Sequence, residues 1–100
     1  MTLLIIGTVR LPAGTLATAL PAMTAMVDAT RAEDGCIHYS YAEDVLDAGL
    51  IHIKELWPDQ ATLDAHAASA HIATWRSTWK QLGISDRDLS LYTVGEPRKI

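Results

Sequence analysis

One segment near the N-terminus constrains the fold of this chain more than any other. Leu3 to Arg10 is apolar on both alternating sides, with Leu3, Ile5 and Val9 on one and Leu4, Ile6 and Thr8 on the other. Alternation with period two marks a strand, and a strand that is apolar on both faces must be covered on both. The whole chain has only 100 residues, enough for a single domain, residues 1–100, and no second core. Both covers must therefore be found with very little material.

Pro12-Ala13-Gly14 ends the strand. From Thr15 the apolar period lengthens to that of a helix, with Leu16, Leu20, Met23 and Val27 at i, i+4, i+7 and i+11. Thr15 is the expected N-cap and Gly35 the expected stop. Pro21 falls inside this helix, where a proline costs about 3 kcal/mol and one hydrogen bond. A kink is expected there, because the stripe continues through it. Cys36 to Glu43 then alternates Ile37, Tyr39 and Tyr41 against Cys36, His38 and Ser40, with Cys36 a small buried residue at the strand start. Asp44 to Gly49 carries turn residues and Leu50 to Trp57 is the returning strand, so these segments form a hairpin centred near Asp47. Asp59 caps the next helix, which carries Leu63, His66, Ala67 and Ala70 on one face. Ser69 can cap a further helical turn with Ile72, Trp75, Trp79 and Leu82, closed by Gly83. Leu89 to Val94 is the last strand.

The order β-α-β-β-α-β is the split pattern of the ferredoxin-like fold, an α+β architecture with a four-stranded antiparallel sheet and helices on one face. The second apolar face of the first strand then needs a cover that the chain does not contain. A second copy of the same sheet is the economical solution, giving a two-fold homodimer. His38 and His52 lie on that outer face and are expected at the interface.

Several function classes are excluded or disfavoured. The formal net charge is −4, which argues against a phosphate-tracking surface and hence against nucleic acid. One cysteine builds neither a disulfide framework nor a thiolate metal site. The N-terminal apolar run stops at Gly7 and lacks a basic flank, and no segment approaches the about 20 apolar residues of a membrane span. A soluble, cytoplasmic protein is expected. No glycine-rich dinucleotide loop is present. His66 and His71 are five positions apart, about 140° around a continuous helix, so no metal site and no cofactor of any kind are expected. The six aromatics are three Trp and three Tyr, each with a polar handle suited to a ligand-lined pocket.

Glu33-Asp34-Gly35-Cys36, Tyr39, Glu55-Leu56-Trp57, Leu63, His66, Ser69 and His71 together resemble the antibiotic biosynthesis monooxygenase family, in one register over nearly the whole chain. The resemblance implies a dimeric ferredoxin-like α/β barrel. Family members include oxygenases of aromatic phenols and hydroquinones that use neither metal nor flavin, quinol monooxygenases, and haem-degrading enzymes. The haem-degrading branch carries an Asn on the first strand, a Trp on the helix after Glu-x-Trp and a His on the following helix. This chain has no Asn, and at the matching helix positions it carries His66 and Arg76, which sets it apart from that branch.

The implied chemistry is oxidation of a small phenol or hydroquinone by O₂. A deprotonated substrate reduces O₂ directly, so the protein must supply a base, an anchor for the oxyanion and a water-poor pocket. Histidine, with an ordinary pKa of about 6.5, is the natural base. His66 is the first choice because its helix face turns it inward beside small residues. Tyr39 and Glu55 are expected opposite one another on the hairpin, as a proton relay or ligand anchor. A buried Glu55 would need a partner, for which the Tyr hydroxyl, Arg31 and Arg76 are available. Trp57, His71, Trp75, Arg76 and Trp79 are the expected substrate-binding residues. Each of these also has an ordinary structural reading, as core, cap or clasp. A non-catalytic ligand-binding or stress-response module, and a cofactor-free isomerase or decarboxylase that moves a proton without O₂, remain open beside the oxygenase.

Overall fold

The structure, a computed structural model, describes residues 1–100. Strand β1 (Thr2–Arg10) is followed by helix α1 (Leu16–Arg31), the hairpin β2 (His38–Glu43) and β3 (Leu50–Trp57), three helices α2 (Gln60–Ala67), α3 (Ala70–Ser77) and α4 (Trp79–Leu82), and strand β4 (Ser85–Val94). The strands form one antiparallel sheet in the order β2-β3-β1-β4. This is the ferredoxin-like α+β arrangement expected from the element order, and the doubly apolar β1 is central in it. No helix is long and apolar enough to cross a membrane.

The inner sheet face contributes Leu3, Val9, Tyr39, Ile51, Ile53 and Trp57 to the core, and the helices add Ala19, Met23, Met26, Ile72 and Trp75. The outer face is open in a single chain. It presents His38, His52 and Lys54, with Ile6 and Tyr92 each about half exposed. The β2–β3 turn is centred on Asp47, which Arg10 grips with two bonds of 2.9 and 3.0 Å. At Gly7, paired with Ile53 and Leu89, an added Cβ would sit 1.9 Å from the carbonyl oxygen of Asp88, so the strands meet here only because no side chain intervenes.

Some local expectations are corrected. The fully buried stripe of α1 is Ala19, Met23, Met26 and Thr30; of the expected stripe, Met23 is buried, Leu16 and Val27 pack partly buried against the core, and Leu20 is exposed. Small residues let the helix approach the sheet, and Thr30 satisfies its hydroxyl by donating to the Met26 carbonyl at 2.9 Å. Thr15 does not cap α1 with its side chain but donates back to the Pro12 carbonyl. The helix runs through Pro21 as one element and ends at Arg31, before Gly35. Strand β2 begins at His38 rather than Cys36, and β4 begins at Ser85 rather than Leu89. The early start of β4 includes a bulge opposite Thr8–Arg10, with Asp86 in the left-handed region at φ 53°.

The second helix is the correction that matters for function. Asp59 caps α2 as expected, accepting from the Thr62 amide at 2.8 Å. The helix then stops at Ala67, before Ala70, and Ser69 caps the further helix α3 as expected. The geometry of a continuous helix, on which the separation of His66 from His71 was reckoned, does not apply.

Candidate functional site

The antiparallel register sets Tyr39 directly opposite Glu55, as the hairpin centre requires. Both point to the inner face and both are buried. Trp57, two residues along the same strand face, donates its indole N–H to Glu55 Oε1 at 3.0 Å. The partners expected for Glu55 are engaged elsewhere. Arg31 Nε donates to the Tyr39 carbonyl at 2.8 Å, and the Tyr39 hydroxyl donates to that of Tyr41 at 3.4 Å. Arg76 acts on Glu55 through charge alone, together with Arg87. Burial pushes the Glu55 carboxyl above the ordinary carboxylate range, opposed by the Trp57 bond and by the charges of His66, Arg87 and Arg76. Burial also drives the hydroxyls of Tyr39 and Tyr41 upward, so both remain protonated donors.

His66 is the buried residue of α2. Its ring lies against Trp57 (centroids 4.8 Å apart) and Tyr39 (5.2 Å). Nδ1 is 2.7 Å from Glu33 Oε2, while Nε2 is 3.9 Å from Glu55 Oε1. A carboxylate only accepts, so the Glu33 contact places a proton on Nδ1 and leaves the Nε2 lone pair of the neutral ring on the Glu55 side. His71 approaches the same Glu33 oxygen, its Nε2 at 2.8 Å. The break at Ala68-Ser69 makes this possible by turning the start of α3 back toward the end of α2.

Glu33 carries the arrangement, and its role was missed in the sequence, where it figured only as one letter of a motif. It sits in the turn between α1 and β2, where Gly35 adopts φ 84°. A Cβ on Gly35 would meet Thr62 Cγ2 at 2.6 Å, so a side chain there would push the turn away from α2.

A cavity of about 230 Å³ opens between the inner face of β1 and β4 and the helices α2 and α3. Ile5, Leu63, Ile72 and Leu89 form apolar walls, and His66, Glu55, Arg76 and Arg87 supply the polar groups. A narrow inner extension of about 30 Å³ reaches Tyr39, Tyr41, Trp75 and Trp79. The indole N–H of Trp79 is buried without an acceptor, and that of Trp75 is directed toward the Tyr41 hydroxyl. Of the residues singled out in the sequence, His66, Glu55 and Arg76 line the cavity, and Tyr39, Trp75 and Trp79 line its extension. Trp57 lies fully buried beneath His66, and His71 stands on the far side of Glu33; neither lines the cavity. Arg87 was not foreseen, because the adjoining bulge at Asp86 has no sequence signature of its own.

The sequence model describing antibiotic biosynthesis monooxygenases matches residues 2–78 of the chain. This protein belongs to that family. A candidate antibiotic biosynthesis monooxygenase from Deinococcus radiodurans is 27% identical, with a TM-score of 0.87 over 100% of this chain and 98% of its own. A second antibiotic biosynthesis monooxygenase structure is 26% identical, with a TM-score of 0.77 over 97% and 100% of the two chains. A protein from Nitrosomonas europaea shares the fold at 16% identity, with a TM-score of 0.86 over 98% and 94%. An uncharacterized protein of Synechocystis, sll1783, is 24% identical over 74 residues, and the chain spans half the length of that curated relative. The match to the family covers Glu33, the hairpin and both histidines of the cluster, and it ends before α4 and β4. Arg87 and the β4 wall of the cavity lie outside the matched residues.

Proposed function

We propose that this protein is a cofactor-independent monooxygenase that oxidises a small phenol or hydroquinone with O₂, working as a homodimer. The observation that carries the reading is the clamped His66 imidazole at the cavity wall, with Nδ1 2.7 Å from Glu33 Oε2 and Nε2 turned toward Glu55. A base held in one tautomer by a carboxylate needs no reorganisation when it takes a proton. The substrate hydroxyl would pass its proton to Nε2, and Glu33 would stabilise the imidazolium from the other nitrogen. Arg76 and Arg87 set positive charge beside the phenolate oxygen. Burial favours the neutral acid of Glu55, the form that donates a hydrogen bond to that oxygen. The unpaired Trp79 indole suits a ligand bearing an acceptor oxygen. For a phenol with a free ring position, one oxygen atom becomes the new quinone carbonyl and the other leaves as water, with four electrons passing from the ring to O₂.

The cavity, about 230 Å³, falls below the about 300–1,000 Å³ of sites for drug-sized ligands, which supports a small aromatic substrate. The apolar outer face with Leu4, Ile6, Leu56 and Tyr92 supports the second sheet of a homodimer. Oxygen uptake by metal-free protein across a panel of hydroquinones tests the activity. His66→Ala should lower it by about 10²–10⁴-fold while circular dichroism stays unchanged. Full activity in that variant would refute the assignment. The proximity of Glu55 and His66, 3.9 Å apart, also favours a second reading, a proton-shuttling isomerase. Turnover under strict anaerobiosis would select it.

A further inference from the structure

We infer that Glu33, His66 and His71 form a binding site for a divalent transition-metal ion of the zinc class, on the side of His66 turned away from the cavity. The donor set is one carboxylate oxygen and two imidazole nitrogens, the mixture that borderline divalent ions prefer. The three ligating atoms lie within 4.8 Å of one another. They come from three separately fixed pieces of backbone: the α1–β2 turn, the last turn of α2 and the first of α3. Zinc bonds of about 2.0–2.2 Å require ligand atoms somewhat further apart than the present 2.7 and 2.8 Å contacts to Glu33. One ion at such distances also needs the two imidazole nitrogens no more than about 4.2 Å apart, so the site forms by side-chain rotations of Glu33, His66 and His71 together.

Burial and access both suit an ion. The His66 and Glu33 side chains are 7% and 15% exposed and that of His71 is 25% exposed. The ion would be shielded from bulk water yet reachable. His71 lines a groove of about 160 Å³ between α1 and α3, with Ala22, Met26 and Thr74. Three protein ligands that leave the fourth tetrahedral position to water make the open-site pattern of zinc. Metal on Nδ1 moves the single proton of neutral His66 to Nε2, on the side of Glu55, whose Oε1 is 3.9 Å away. The site itself is independent of the oxidation proposed above. Its effect on that oxidation rests on the proposal: a zinc-bound His66 has no lone pair for the substrate proton, so zinc would inhibit.

Binding is tested on untagged, chelator-treated protein by zinc competition against a chromophoric chelator, with Co²⁺ absorption as a spectroscopic check on the ligand set. Wild type should bind one zinc per chain at micromolar or tighter affinity. His71→Ala and Glu33→Gln should weaken binding by on the order of 100-fold or more, beyond the usual loss from a supporting residue. His52→Ala, on the opposite face, should leave it unchanged. If His71→Ala unfolds by circular dichroism, His71→Asn replaces it with the same expectation. No binding by wild type at sub-millimolar zinc, or equal binding by folded His71 and Glu33 variants, would reduce the triad to a hydrogen-bonded cluster only and overturn the inference. Binding without inhibition would instead contradict the proposed role of His66 and leave the metal site standing.

Discussion

Removing the Glu33 carboxylate should cost this small domain a large part of its stability, and the structure sets the size. Glu33 Oε2 accepts from His66 at 2.7 Å and from His71 at 2.8 Å. A hydrogen bond to a charged group contributes about 1.5–3 kcal/mol. The His66 bond is nearly sealed from water, whereas His71 is a quarter exposed and its bond belongs at the low end. Glu33→Ala should therefore destabilise metal-free protein by about 3–4 kcal/mol. Glu33→Gln, which keeps a neutral acceptor, should cost about 1–2 kcal/mol. In a domain of 60–100 residues each kcal/mol lowers Tm by about 4–8 °C. Urea denaturation of Glu33→Gln, His71→Ala and the double variant closes a cycle. Two residues sharing one oxygen should be coupled, with the double variant less damaged than the sum by about 1 kcal/mol. Additive losses would show that Glu33 does not hold His71, and a Glu33→Ala penalty within the about 0.5 kcal/mol of an ordinary surface change that it holds neither histidine.

Glu55→Gln should become more favourable to folding, relative to wild type, as pH rises. The folded carboxyl is raised by burial, so its contribution is complete below the ordinary value of about 4.3 and is lost as pH climbs through the folded value. Gln keeps an oxygen for the Trp57 indole and never ionises. Urea midpoints should coincide near about pH 4 and diverge above it, and a pH-independent difference would contradict the burial argument. For the homodimer, light scattering at micromolar concentration should give twice the chain mass, whereas a folded monomer would mean that the outer face of β1 is covered in another way.

The readable parts of this fold are those governed by short periods. Period-two alternation and a hairpin centred on Asp47 were enough to place Tyr39 opposite Glu55, because one fixed turn determines every pair on the strands. The phase of α1 was not readable. Leu16 and Leu20 look more hydrophobic than Ala19 and Thr30, but the close approach to the sheet falls on Ala19 and Thr30, leaving Leu16 at the core edge and Leu20 about half exposed. Glu33 and Arg87 were hidden for a different reason. Each is aimed by a local backbone feature, the turn at Gly35 with φ 84° and the bulge at Asp86 with φ 53°. Such features send a side chain toward partners more than thirty residues away, and no spacing rule covers that distance.

The interruption at Ala68-Ser69 explains why His66, rather than His71, His38 or His52, occupies the chemically useful position. An uninterrupted helix would carry His71 about 140° away from His66 and leave Glu33 with one partner. With the break, one imidazole touches two environments: Nδ1 joins the Glu33–His71 cluster near the α1–α3 groove, and Nε2 faces Glu55 at the cavity wall. A neutral ring carries a single N–H, so what happens at one nitrogen fixes what the other offers. Charge, proton or metal on the Glu33 side is thereby converted into donor or acceptor character on the cavity side, without any movement of the backbone. Ser69 sustains this geometry from both directions. Its hydroxyl donates to the His66 carbonyl at 2.7 Å and accepts from the Ile72 amide at 3.4 Å, closing one helix and opening the next at the same atom.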